Sequence, residues 1–148
     1  MTIERKHWIL LLLALRDDTL PLDPVRIQSG MFILSHEHAL PTTSRYEFEA
    51  LDSGPFSSSV VSDVEELEEA GLVDRHGVSG YTWSEFTATV AGVEYAETSL
   101  VPAMNATELD ALRSLAHAKE HVLVRGFRDL MDHLGQTYPP PTLKSVFH

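Results

Sequence analysis

Residues 53–73 have the sequence SGPFSSSVVSDVEELEEAGLV, and this stretch decides the fold. Its first five residues, SGPFS, predict a turn that delivers the chain into a helix. Gly71 ends that helix, and residues 72–73 begin a short strand. The helix is expected to bury one face, which carries three apolar residues at helical spacing, Val60, Val64 and Leu67.

The segments on either side of this stretch predict strands. Residues 77–80, GVSG, predict a hairpin turn, and Tyr81, Trp83 and Phe86 fall on the return strand. We expect Trp83 to pack against the helices. Residues 46–50, YEFEA, alternate apolar and acidic side chains, which predicts a half-buried strand before the turn.

Two helices precede that strand. The first is predicted from Thr2, as N-cap, to about Leu15, and it contains the apolar run WILLLLAL at residues 8–15. This run is about 12 Å long, too short to cross a bilayer, and no signal-peptide cleavage pattern follows it. We therefore expect a buried helix in a cytoplasmic protein without a membrane partner. The second helix is predicted from Asp23-Pro24 to about His38.

More helices are predicted after the hairpin. Thr89 caps one that runs to about Leu100, and Thr107, with Asp110 three residues on, caps a longer one. Whether residues 122–124 continue the longer helix is left open by their periodicity. A last helix covers residues 127–134, and the prolines of residues 138–141, YPPP, predict an extended segment. The inner face of the longer helix is expected to carry Leu109, Leu112 and Leu115.

The order helix, helix, strand, helix and hairpin is that of a winged helix. The predicted fold is therefore a mostly helical α+β fold, with a winged helix-turn-helix core, a two-stranded wing and C-terminal helices. At this length we expect one domain over residues 1–148. Its core would cover about residues 1–100, and a helical extension with a proline-rich tail would cover about residues 103–148.

In this order, the motifs resemble the winged-helix family that includes the Panacea and SocA-type antitoxin domains and the YwgA-type proteins. Residues 25–34, VRIQSGMFIL, resemble that family's helix of the form RLQKLVFLL. SGPFS and residues 69–73, EAGLV, resemble its central block, and Tyr138-Pro139 with residues 144–146, KSV, resemble its C-terminal tail. The resemblance implies a small non-enzymatic module that binds a protein, in several members a toxin or a client for proteolysis.

Charge and composition exclude several classes of function. The chain has 11 Lys and Arg against 22 Asp and Glu, a formal net charge of −11, which disfavours general binding to nucleic acid or anionic lipid. It has no cysteine, which excludes disulfides, thiolate metal sites, iron–sulfur clusters and a Cys nucleophile. Residues 46–74 contain nine acidic residues and no Lys or Arg. A helix of this charge meets repulsion from DNA phosphates.

Stoichiometric binding of a protein partner is therefore the first hypothesis for the function, and the acidic helix favours a basic partner. No cofactor and no catalytic residue is expected. A DNA-binding transcription regulator, with Arg75 and His76 in its wing, is the alternative, and a homodimer is left open. The basic residues Arg125, Arg128 and Lys144 could pair with the acidic third helix, in the same molecule or across a dimer. The predicted partner-binding residues are Ser58, Ser62, Glu65, Glu66, Glu69, Tyr138, Pro139, Lys144 and Ser145.

Residues 117–121, HAKEH, match the H-x-x-E-H pattern of a class of zinc peptidases. In that pattern, two His side chains one helical turn apart hold the metal. The chemistry needs a third protein ligand, usually a Glu well downstream, and no Glu follows Glu120. His117 and His121 are thus weak candidates for metal ligands.

Overall fold

A computed structural model describes residues 3–15, 20–37, 45–51, 54–78, 80 and 83–137. Within these ranges, six α-helices and two antiparallel two-stranded sheets form a mostly helical α+β fold, which confirms the predicted fold class. A π-helical turn, Ala96–Leu100, and a 3-10 turn, Val101–Ala103, follow the fourth helix. The elements are α1 (Arg5–Ala14), α2 (Pro24–Glu37), β1 (Glu49–Leu51), β2 (Gly54–Phe56), α3 (Ser58–Glu69), β3 (Val73–Gly77), β4 (Ser84–Ala88), α4 (Val90–Tyr95), α5 (Ala106–Val124) and α6 (Phe127–Thr137).

The two sheets frame α3. β1 pairs with β2 just before this helix, with Glu49 opposite Phe56, and β3 pairs with β4 just after it, with Val73 opposite Ala88. Leu22, between α1 and α2, adds one residue to the second sheet, because its backbone N–H and carbonyl both bond to Phe86, at 3.0 and 2.9 Å. The order α1, α2, β1, α3 and β3–β4 follows the predicted order of elements, to which the structure adds β2 and the Leu22 bridge.

The core lies between α1, α2, α3 and α5. α1 contributes an unbroken buried run from His7 to Leu13, in agreement with the prediction for this segment. Helix α5 packs on α2 and buries Ala111, Leu115, Ala118 and Val122 in the same core. Lys119, also on α5, is 1% exposed and donates its ammonium protons to the carbonyl oxygens of Leu13 and Leu15 at the end of α1. None of the described helices has the length and apolar character needed to span a bilayer.

The helix starts differ in detail from the prediction. α1 begins after Glu4, whose backbone N–H donates to His7 Nδ1 at 2.9 Å, and the predicted cap Thr2 lies outside the described residues. Thr107 is wrong as the cap of α5, because Asn105 fills that role. The Asn105 side chain accepts from the Glu108 N–H at 2.8 Å, and the Glu108 carboxylate accepts from the Asn105 N–H at 3.0 Å. This reciprocal pair satisfies two backbone donors at once.

The buried face of α5 is also rotated from its predicted position. Leu115 is buried, but Leu109 and Leu112 are only half-buried, because the buried face of α5 passes through Ala111, Leu115 and Ala118. Residues 122–124 continue the helix, which ends at Val124.

The strand predictions are partly wrong. Of the predicted strand, residues 46–50, only Glu49 and Ala50 lie in β1, and the partner strand, Gly54–Phe56, lies within the segment predicted as a turn. Trp83 precedes β4 rather than lying within it, and 45% of its surface is exposed, so it does not pack fully against the helices. Tyr81 and His38 lie outside the described residues. The predicted Thr89 cap is confirmed, because its hydroxyl accepts from the Gly92 N–H at 2.9 Å.

Candidate functional site

Helix α3 buries one side and exposes the other. Val60, Val64 and Leu67 are buried, as predicted, and Gly71 follows the helix with a φ of +76°. All five predicted binding residues on this helix are exposed, so the structure brings them together on the solvent side. We call this surface the acidic face; it consists of Ser58, Ser62, Glu65, Glu66 and Glu69.

Asp63 differs from the other acids of α3 because it is buried. Its carboxylate accepts from the Tyr46 hydroxyl at 2.6 Å and from Arg5 Nε at 2.9 Å and Nη2 at 3.3 Å. Burial raises the pKa of Tyr46 well above its usual range, and the hydrogen bond to Asp63 raises it further. Sequence reasoning missed this role, although Asp63 lies on the same stripe as Val60 and Leu67.

Cations from α1 and from the β3–β4 hairpin, which the sequence predicts to be a wing and which we call the wing, neutralise part of α3. Lys6 Nζ lies 3.4 Å from Glu66 Oε2, and the Arg75 guanidinium donates to both carboxylate oxygens of Glu68 at 3.1 to 3.3 Å. Arg75 also stacks over the Phe86 ring, 5.0 Å from its centroid. Among the described residues, Glu65 and Glu69 form no ion pair.

Arg125 does not pair with α3 within the molecule, and its pairing with α3 across a dimer stays a prediction. Arg125 instead donates to His121 Nδ1 at 3.0 Å and lies 3.8 Å from the Asp129 carboxylate, on the neighbouring turns of α5 and α6. Lys144 lies outside the described residues. His121 and Asp129 each lie four residues from Arg125 along the chain, so its guanidinium reaches them locally.

A groove runs beside the acidic face, where the start of α2 meets α3, the wing and the start of α6. It consists of three adjoining cavities of about 450, 180 and 170 Å³, and Pro24 lines all three. We call it the Pro24 groove. Its main lining residues are Pro24, Val25, Gln28, Val61, Trp83 and Phe127.

The Pro24 groove is largely apolar and partly open to solvent. Val61, Trp83 and Phe127 are 42%, 45% and 49% exposed, which is unusual for large apolar side chains gathered in one place. Clusters of exposed apolar residues of this kind mark interaction sites in many proteins. Sequence reasoning missed the groove because its walls come from four separate segments.

The described part of the chain places no third ligand beside the histidines of the HAKEH motif. Within the described residues, no group of three His, Asp or Glu side chains lies close enough to hold a metal ion. The His117 side chain is exposed and lies 3.9 Å from Glu120. The His121 ring stacks on that of His133 at 5.1 Å. Burial lowers the pKa of His133, and the positive charge of Arg125 lowers it further.

Tyr138, Pro139, Lys144 and Ser145, the other predicted binding residues, lie outside the described residues, so their role stays a prediction. In comparisons with known proteins, no family model matches the chain, and no curated protein matches its sequence. The resemblance to the Panacea and SocA-type proteins therefore rests on the short motifs of the sequence alone.

Proposed function

We propose that this chain is a non-enzymatic winged-helix interaction module of the cytoplasm that binds a basic protein partner stoichiometrically, as an antitoxin or adaptor does. The acidic face of α3 and the tail residues Tyr138, Pro139, Lys144 and Ser145 form its binding surface. The observation that carries the proposal is the charge of α3. In a winged helix α3 would be the recognition helix, and it exposes Glu65 and Glu69, neither of which forms an ion pair in the described structure.

Complementary charge speeds the encounter of two proteins and selects between partners. A surface that carries unpaired carboxylates on a chain of net charge −11 attracts a partner rich in Lys and Arg. The same surface repels DNA phosphates. The one arginine of the wing, Arg75, already binds Glu68, so the DNA-binding alternative gains nothing from it.

The test uses the tagged full-length protein to capture its partner from the host, with and without nuclease. Two variants are compared with the wild type. Glu65→Lys with Glu69→Lys reverses the acidic face, and it spares Glu66, which pairs with Lys6. Glu94→Lys with Glu97→Lys is the control, because both residues are exposed away from α3. Each pair of reversals removes two negative charges and adds two positive ones, which changes the net charge from −11 to −7.

We expect one protein at a ratio near one to one, unaffected by nuclease. Its affinity should fall at least about tenfold for the Glu65/Glu69 variant and less than about twofold for the Glu94/Glu97 variant. Equal losses for both variants would mean that net charge alone governs binding. Recovery of DNA, or of proteins that disappear with nuclease, would favour the transcription regulator.

A further inference from the structure

The Pro24 groove is held open by polar contacts on three sides. Arg26, next to Pro24, pairs with Asp23 and donates to the carbonyl oxygens of Val122 at 2.9 Å and Arg125 at 2.8 Å, which fixes α2 to the end of α5. The Gln28 side chain donates to the Ser57 carbonyl at 3.0 Å and accepts from the Ser57 N–H at 2.9 Å, which fixes α2 to the start of α3.

The backbone pairing of Leu22 with Phe86 supplies the third side, because it fixes the wing to the segment that leads into α2. The walls of the groove are therefore in place before any partner arrives. A preformed site binds more tightly than a flexible one, because less conformational entropy is lost on binding.

The charged groups of the groove favour a cation in its occupant. Four charged residues line the cavities, and three of them are neutralised within the protein: Asp23 and Arg26 pair with each other, and Arg75 pairs with Glu68. Glu65 is the fourth; it belongs to both the groove and the acidic face, and it interacts with the charge of Arg75 without forming an ion pair with it. Two carboxylates, Glu65 and Glu68, thus share one guanidinium, and this part of the groove keeps an excess of one negative charge beside an apolar surface.

We propose that the Pro24 groove binds a segment of the basic partner that places a large apolar side chain between Trp83 and Phe127 and a Lys or Arg beside Glu65. This inference rests on the proposed function and names the part of the partner that is recognised. The cavity at Trp83 and Phe127, about 450 Å³, has the size of sites that hold large side chains and small ligands. Aromatic residues in such positions contribute much of the binding energy at protein interfaces.

The test starts from a phage-displayed library of random 12-residue peptides, selected on the full chain. The selected peptides are then synthesised, and their affinities are measured by fluorescence anisotropy. We expect them to share a large apolar residue with a Lys or Arg nearby. Trp83→Ala and Phe127→Ser should each weaken binding about tenfold or more, and Glu65→Gln should weaken it about threefold or more.

Two matched controls lie outside the groove. Val90→Ser replaces an apolar residue that is 85% exposed, and Glu97→Gln neutralises an exposed carboxylate. Both should change affinity less than about twofold. A library from which no peptide is enriched would overturn the inference. Peptides that bind the groove variants as tightly as the wild type would also overturn it, and so would peptides whose affinity falls equally for the groove variants and the controls.

Two other occupants would also overturn it. One is this chain's own tail, tested with a synthetic peptide of residues 137–148 as competitor against the selected peptides. The other is a second copy of the chain, which sedimentation would show as a dimer that Trp83→Ala dissociates. The two proposals fail separately. Suppose that the captured partner binds Trp83→Ala as tightly as the wild type but no longer binds the Glu65/Glu69 double variant. This result would support the acidic face as a binding surface and contradict binding in the Pro24 groove.

Discussion

Asp63 and Glu66 lie about one turn apart on α3, yet their carboxylates have opposite environments. Asp63 is 5% exposed and bonds to both Arg5 and Tyr46, whereas Glu66 is exposed and reaches Lys6 at 3.4 Å. A buried carboxylate must keep its partners, because removal of its charge leaves their polar groups unsatisfied. An exposed pair exchanges its partner for water at little cost.

We therefore expect Asp63→Ala to lower the free energy of unfolding by about 3 kcal/mol, since it leaves the Arg5 guanidinium without its carboxylate and the buried Tyr46 hydroxyl with only the Arg5 carbonyl, 3.3 Å away, as acceptor. Glu66→Ala, the control on the same helix, should lower it by less than about 0.5 kcal/mol. Urea unfolding followed by circular dichroism measures both. Equal effects would show that the Arg5–Asp63–Tyr46 contacts add nothing to stability.

His7 makes stability depend on pH near the start of α1. Its ring is buried and its Nδ1 accepts the Glu4 N–H. Burial lowers the pKa of His7, and the neighbouring Lys6 lowers it too, although Glu4 opposes them. Because the folded pKa lies below the unfolded value of about 6.5, the unfolded chain takes up the proton first as the pH falls. The stabilisation is therefore complete above about pH 6.5 and is lost below it.

The variant His7→Gln keeps an acceptor at this helix position and removes the titration. We expect the wild type to lose more stability than this variant between pH 7.5 and pH 5.5, by at most about 1.4 kcal/mol per pH unit. Urea unfolding at the two pH values measures the loss of stability in each protein. The other histidines are present in both proteins, so their contributions cancel when the two losses are subtracted. Parallel losses in the two proteins would remove His7 as the source.

At the level of elements, α4 approaches the wing so closely that only glycine fits at Gly92. A Cβ there would overlap with the carbonyl oxygen of Leu72 and lie 3.1 Å from the Leu10 side chain. The same Leu72 carbonyl accepts from the Thr89 N–H at 3.0 Å, so it is not free to move away. Gly135 in α6, by contrast, has no atom within 4 Å of an added Cβ.

Gly92→Ala should accordingly lower the free energy of unfolding by about 1–3 kcal/mol through overpacking. Gly135→Ala should raise it by about 0.5–1 kcal/mol, because alanine favours the helix and nothing obstructs it. Shifts of the urea midpoint at constant slope would report both effects. A neutral Gly92→Ala would mean that α4 and the wing separate easily.

Sequence periodicity predicts the elements and their faces where the signal is local. The spacing of Val60, Val64 and Leu67 predicts the buried face of α3 correctly, because one helix carries the whole pattern. Contacts between distant segments leave no such signal. Asp63 binds Arg5 from 58 residues away, so its burial depends on a partner that α3 itself does not reveal.

The candidate site also has one part that a local sequence pattern predicts and one part that it does not. The exposed residues of the acidic face follow from the helical period of one segment. The Pro24 groove, in contrast, joins Pro24, Trp83 and Phe127 from three places in the chain. No pattern within one segment places these residues side by side, so the groove becomes visible only in the folded structure.

For the whole molecule, the excess of negative charge works against compactness. The net charge is −11, so the excess carboxylates repel one another. The folded state brings these charges closer together than the unfolded chain does. Added salt screens the repulsion between exposed groups.

The Glu94/Glu97 double reversal, which changes the net charge to −7, should therefore raise Tm by about 1–3 °C in 20 mM NaCl. The difference should shrink in 500 mM NaCl, where the screening length is only a few ångströms. Differential scanning calorimetry at both salt concentrations measures it. A gain in Tm that persists at high salt would point to new local contacts of the two lysines.

The contact between Lys119 and the end of α1 sets an order of events during synthesis. The lysine lies 106 residues beyond Leu13, whose carbonyl it binds. Ribosomes add about 5–20 residues per second, so about 5–20 s pass before this partner exists. During that interval the apolar run of residues 8–15 has left the ribosome without the helix that later covers it. A nascent chain with an uncovered apolar segment is a natural client for chaperones. Helix α1 is made first, but it gains its contacts with α5 only near the end of synthesis.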